Sequence, residues 1–193
     1  MNDFFLAKNA SLKMDFDDIE VHQIRMRDFD LWVSCVEPIK EFVKGKNLSD
    51  EIVFGLIENH LIACLDMLSL IVNEDKKYLN GLICDMKRLP QLIMAAISVN
   101  QVFFDDYDKN QKSKRAVAEK SDVTWFDSFQ VLIKAGHTHE SIMNMGYGMF
   151  MAYLNAIKRQ QQNHIYSTAS YMRIAYHADK KGFEKFGKEI TED

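Results

Sequence analysis

The side chains with metal-binding or catalytic chemistry in this sequence are six histidines, three cysteines and a cluster of aspartates. His137-Thr138-His139 is the only close histidine pair, and a zinc-type site would need a third and fourth ligand at workable spacing. None is evident. A di-iron bundle needs Glu-x-x-His on two helices, and no glutamate here has histidine three residues on. The pair therefore reads as part of a polar turn between helices. Asp105, Asp106 and Asp108 lack the glycine and terminal glutamate of a calcium loop and read as a solvated helix end. Cys35, Cys64 and Cys84 form no C-x-x-C, sit in apolar contexts and have no obvious base beside them, which predicts buried free thiols of a reducing compartment. There is no G-x-S-x-G. Gly146-Tyr147-Gly148 lacks the following lysine of a phosphate loop and follows no strand. These residues predict a protein that is not an enzyme, with no metal and no cofactor.

Binding chemistry is the remaining class. Residues 125–145 read as helix, Ala135-Gly136 turn, helix, which is the outline of a DNA reader. The second helix, His139 to Met145, offers Glu140 and apolar side chains but no basic residue for base edges or phosphates. Nucleic acid is thus not expected as a partner, and the basic stretch 109–120, which could contact it, reads first as a solvated charged linker. A stronger pattern closes the chain. Ile165, Ala169, Met172, Tyr176, Asp179, Phe183, Phe186 and Ile190 are spaced alternately four and three apart, and only Asp179 interrupts the apolar series. That spacing predicts one seam along a long helix. Met149 and Met151 flank Phe150, and flexible thioethers suit surfaces that take extended or variable ligands. The candidate partner-binding residues are therefore Met149, Met151, Met172, Tyr176, Phe183 and Phe186.

The elements that must position these residues are helices. The chain has 193 residues, 47% of them hydrophobic, with only 2 prolines and 8 glycines, too few breakers for a β-sandwich or barrel. Its net charge of -4 excludes a general nucleic-acid coat. The opening residues lack the basic start and apolar core of a signal peptide, and the run Leu61 to Val72 is too short to span a bilayer. A cytoplasmic protein is expected. Residues 1–27 are polar, alternate weakly and suggest a short strand or hairpin. Helices are expected from Asp28 toward Gly45 with a kink or split at Pro38, over Ile52–Val72 as one helix or as two with a break near Asn59, and from Glu74 to about Asp85. A central helix begins near Pro90. Further helices follow, one capped by Asp122 and stopped by Gly136, one begun by Thr138, one from about Met149 to Gln161, and the terminal one.

Charge divides this all-α chain. Residues 1–108 carry 11 basic and 19 acidic side chains, whereas 109–193 carry 13 and 9. The switch falls in a polar stretch, so the expected layout is an acidic helical domain 1–106, a charged linker 107–121 and a basic helical domain 122–193.

Two stretches resemble tail assembly chaperones of long-tailed bacteriophages and prophages. The first is Asp28-Phe29-Asp30-Leu31-Trp32 to Glu37-Pro38-Ile39, with the helix ending Val99-Asn100-Gln101-Val102-Phe103-Phe104. The second runs from Trp125-Phe126 through Leu132-Ile133-Lys134-Ala135-Gly136-His137, Glu140-Ser141-Ile142 and Phe150-Met151-Ala152-Tyr153-Leu154, to Ala175–Phe183. The resemblance implies a non-enzymatic helical protein of the bacterial host's cytoplasm. Such a protein coats the apolar tape-measure protein and helps recruit tail-tube subunits; self-association is expected separately, from the apolar seam of Met172, Tyr176, Phe183 and Phe186. The alternative is a prophage-encoded regulator or host-interaction protein, with DNA binding as one form.

Overall fold

In a computed structural model, residues 3–105 and 124–191 are described, with side chains from 4 to 105 and from 124 to 187. The architecture is all-α with one short hairpin, as the scarcity of breakers predicts. After α1 (Asp3–Ala7), β1 (Leu12–Lys13) pairs antiparallel with β2 (Glu20–Val21), Leu12 opposite Val21 and Lys13 opposite Glu20. Asp17 and Asp18 turn the chain between them with φ of 54° and 49°. Aspartate tolerates this left-handed region, and here it closes the tight turn in which Ile19 donates to the Phe16 carbonyl at 3.3 Å.

The core is built from α2 (Phe29–Val43), α3 (Asp50–Ile71), α4 (Lys76–Gly81) and α5 (Arg88–Val99). Phe29, Trp32, Val36 and Ile39 form the buried face of α2, which packs on α3. Pro38 does not split α2. It stands on the exposed side, where the Ser34 carbonyl deprived of its donor belongs to a solvent-exposed residue. The break near Asn59 is real: His60 has φ −138° and ψ 32°, and its ring meets Phe42 at 5.5 Å. α3 is the one helix among the described residues with the length and hydropathy to cross a bilayer, although the 61–72 run alone falls short. Val53, Leu56, Cys64, Met67, Leu68 and Ile71 turn inward from it, against α2 and α5. α5 is buried on several faces, with Leu89, Leu92, Ile93, Ala96 and Val99 all enclosed, as its apolar residues on more than one face predict.

Beyond residue 123 follow α6 (Trp125–Lys134), α7 (His139–Asn144), α8 (Tyr147–His177) and α9 (Lys180–Thr191). Thr124 caps α6 through a capping box with Asp127. Asp122, the cap expected from sequence, lies outside the described residues. Gly136 ends the helix region with φ +98°, and Thr138 accepts from the Ser141 amide to open α7.

The chain divides into two units, Met1–Tyr153 and Leu154–Asp193. The expected linker 107–121 lies outside the described residues, and α6, α7 and the start of α8 belong with the acidic part. The physical cause is an extended strap after β2. His22 donates to the Ile71 carbonyl at 2.8 Å, and Ile24 donates to Asn100 Oδ1 at 2.8 Å. On the far side, Met26 donates to Met145 and Tyr147 donates to Ile24 at 2.9 and 2.8 Å. Aromatic packing adds to this, with Phe29 and Tyr147 stacked at 4.8 Å and Phe103 edge-on to both.

Candidate partner-binding surface

No glycine or proline occurs between Met149 and Gly182, and the glutamines at 160–162 are good helix formers. α8 therefore runs straight through the polar residues where two separate helices were expected. The real break comes at Ala178-Asp179. Asp179 Oδ1 accepts from the Gly182 amide at 2.8 Å and its carbonyl accepts from Phe183, so the residue that interrupts the apolar series starts α9. The 165–190 seam is accordingly not one line on one helix.

The second unit, taken alone, has two kinds of apolar residue. Ile165, Met172 and Tyr176 on α8 are 67%, 68% and 86% exposed, and Ala169 between them is exposed too. On α9, Phe183 is 54% exposed, whereas Phe186 is half-buried with its ring 5.3 Å from Tyr171. Phe186 thus holds the unit's two helices together, and Met172 and Tyr176 remain outward. Met149 and Met151 belong to the first unit and are half-buried beside Phe150. The Phe150 ring is fully enclosed, with Trp125 at 6.0 Å and Phe129 at 5.8 Å. Of the six residues expected to form one surface, two lie in the first unit and four in the second.

A second line of α8 residues, not singled out by the apolar pattern, runs next to the seam. Tyr166, Ser170, Arg173 and His177 recur at i, i+4, i+7 and i+11, and with Ala169 and Ile174 they line an open groove of about 740 Å³. Each of the four can donate a hydrogen bond. From Leu154 to Ala178 the sequence has Lys158, Arg159 and Arg173 and no carboxylate at all. That absence was readable in the sequence, but its meaning depends on which face of the helix stays open.

Among the described residues no three His, Cys, Asp or Glu side chains gather as a metal site. His137 packs its ring on Tyr153 at 4.7 Å, and His139 is the first residue of α7. α7 has six residues, with Ile142 buried and His139, Glu140 and Ser141 exposed. The cysteines differ from their expected common burial. Cys64 is buried, Cys35 is half-buried and Cys84 is exposed, because Cys84 lies in the turn between α4 and α5 rather than on a helix face.

Compared with protein-family models, with curated proteins and with solved structures, the chain finds no match.

Proposed function

We propose that this chain is a non-enzymatic helix-binding protein of the tail-assembly-chaperone kind that its sequence resembles. In that role it covers the apolar face of a long helical tape-measure protein in the bacterial cytoplasm and helps bring tail-tube subunits to it. The observation that carries this reading is the open seam Ile165, Ala169, Met172 and Tyr176 on one face of α8. Alternate four- and three-residue spacing is the pattern that fits a second helix, and side chains left in water on such a line are what a helix partner would cover. Large apolar patches rimmed by polar residues mark interaction sites in soluble proteins.

The test is co-purification of the full chain with a co-expressed, apolar tape-measure fragment. The double variant Met172→Ser, Tyr176→Ser removes two exposed side chains and should leave helical circular dichroism unchanged. Loss of the fragment from the folded variant is the expected result. Retention of the fragment at the wild-type level would refute the assignment of the seam.

A further inference from the structure

The geometry points to an amphipathic helix with acidic flanks as the occupant of the α8 groove, an inference that rests on the helix-holding reading above. The seam supplies only apolar contact and would accept any helix of matching spacing. Selectivity must come from what borders it. On one border stand Tyr166, Ser170, Arg173 and His177, which present two hydroxyls, a guanidinium and an imidazole along about three turns. A guanidinium donates and never accepts, and it pairs with carboxylates in a planar fork.

Nothing in the helix itself answers that charge. The span from Leu154 to Ala178 contains no Asp or Glu, so Lys158, Arg159 and Arg173 have no carboxylate of their own stretch to pair with. Among the described residues Arg173 is in none of the ion pairs. The nearest acid in sequence, Asp179, already accepts the Gly182 amide. A helix left with cations and no anions beside an open apolar seam is complementary to the reverse arrangement.

The spacing adds a constraint. Arg173 and His177 are four residues apart, so carboxylates four apart on the partner would meet both at once. A second copy of the same helix is a poor occupant, because it would set arginine and lysine against arginine and lysine with no acid to separate them. A basic helix is poorer still.

The experiment uses the full chain and three fluorescent synthetic helices of about 20 residues, long enough to be helical when docked. All carry the same leucine seam, and the flanking positions are Glu, Gln or Lys. Fluorescence anisotropy should show the Glu helix binding at least about tenfold tighter than the Gln helix, an advantage that shrinks as salt rises. Arg173→Glu should invert the preference toward the Lys helix, whereas Lys134→Glu, a surface change outside the groove's unit, should not. Equal binding of all three helices would overturn the acidic-partner inference and leave the helix-holding reading intact. Binding that survives Met172→Ser, Tyr176→Ser, or no binding of any of the three helices, would overturn both.

Discussion

The Gly148 amide donates to Gln23 Oε1 at 3.2 Å in the buried interior, across 125 residues of sequence. Around this bond the first unit is closed. Gly146 donates to Asn9 Oδ1 at 3.0 Å, and Arg25 bridges antiparallel to Gly146. Gly146 and Gly148 are therefore places where the strap lies against the start of α8. A β-carbon built on Gly148 would come 2.7 Å from Gln23 Oε1 and 2.8 Å from Leu6 Cδ2. On Gly146 it would meet Asn9 Oδ1 at 2.7 Å and Gln23 Cβ at 2.8 Å. Neither position requires glycine for its φ. Gly146 requires it for space, because the Gln23 β-carbon cannot move aside, whereas Gly148 faces the ends of the Gln23 and Leu6 side chains.

Gly146→Ala should therefore destabilise the protein by about 1–3 kcal/mol, the usual range for overpacking a filled interior. Gly81→Ala, at the end of α4 with nothing within 4 Å of the added carbon, is the control and should change stability by less than about 0.5 kcal/mol. Urea unfolding of both variants decides the matter. Equal midpoints for the two would refute the close-approach argument.

Acid should loosen the contact between the hairpin tip and the α4–α5 turn. Arg88 donates to Asp85 Oδ2 at 2.6 Å and to Asp17 Oδ2 at 2.7 Å, and Tyr78 donates to Asp17 at 2.6 Å. Hydrogen bonds from the Arg88 amide and side chain, then from the Lys87 amide, hold the Asp85 carboxyl down at about 2. A carboxyl whose folded value lies below its unfolded value stabilises the fold at neutral pH and loses that contribution as pH falls through the folded value. The contribution of Asp85 should thus be complete above about pH 4 and fade toward pH 2. Urea midpoints of wild type and Asp85→Asn should differ at pH 6 and converge near pH 2. A constant difference across that range would exclude the mechanism.

Thiol labelling should separate the three cysteines. Cys84 is exposed, whereas burial pushes the Cys64 thiol up to about 12 and also raises Cys35. Only thiolate reacts, and only where reagent can reach it. In the native protein at pH 8, maleimide should modify Cys84 first and Cys35 slowly, with Cys64 modified only after unfolding. Peptide mapping of a time course reads the order, and early modification of Cys64 would contradict its burial.

Much of this fold is legible along the chain because its causes are local. The apolar rhythm Phe29, Trp32, Val36, Ile39 marks the inner face of α2, and Thr138 and Gly136 mark a start and a stop. The weak alternation before residue 27 is the hairpin. Where local rules misled, a neighbour decided. Pro38 forbids one hydrogen bond, but the freed carbonyl belongs to the solvent-exposed Ser34 and α2 continues. Polar glutamines suggest an interruption at 160–162 because polarity resembles a loop, yet their helix propensity is good and nothing there breaks the backbone. Asp179 looked like a flaw in a seam, and its carboxylate makes it a cap.

The candidate surface was only partly readable for the same reason. Four-three spacing identifies Ile165, Ala169, Met172 and Tyr176 as one face of a helix, but spacing is blind to whether that face is covered. Phe186 belongs to the same series and packs on Tyr171, whereas Met172 and Tyr176 stay in solvent. The stripe Tyr166, Ser170, Arg173, His177 carries no apolar signal and becomes visible only as the wall of a groove.

By itself the sequence determined the all-α class, the positions of most helix ends and the amphipathic character of the last helices, since propensity, capping and periodicity act over a few residues. Tertiary structure alone decided that residues 125–153 belong with the acidic part, that Gly146 and Gly148 are spaces for Gln23 and Asn9, and which cysteine and which aromatic residues stay exposed. The first two of those outcomes depend on contacts between segments more than a hundred residues apart, such as Gln23 with Gly148. Steric fit and hydrogen-bond satisfaction across that distance leave no period in the chain to read.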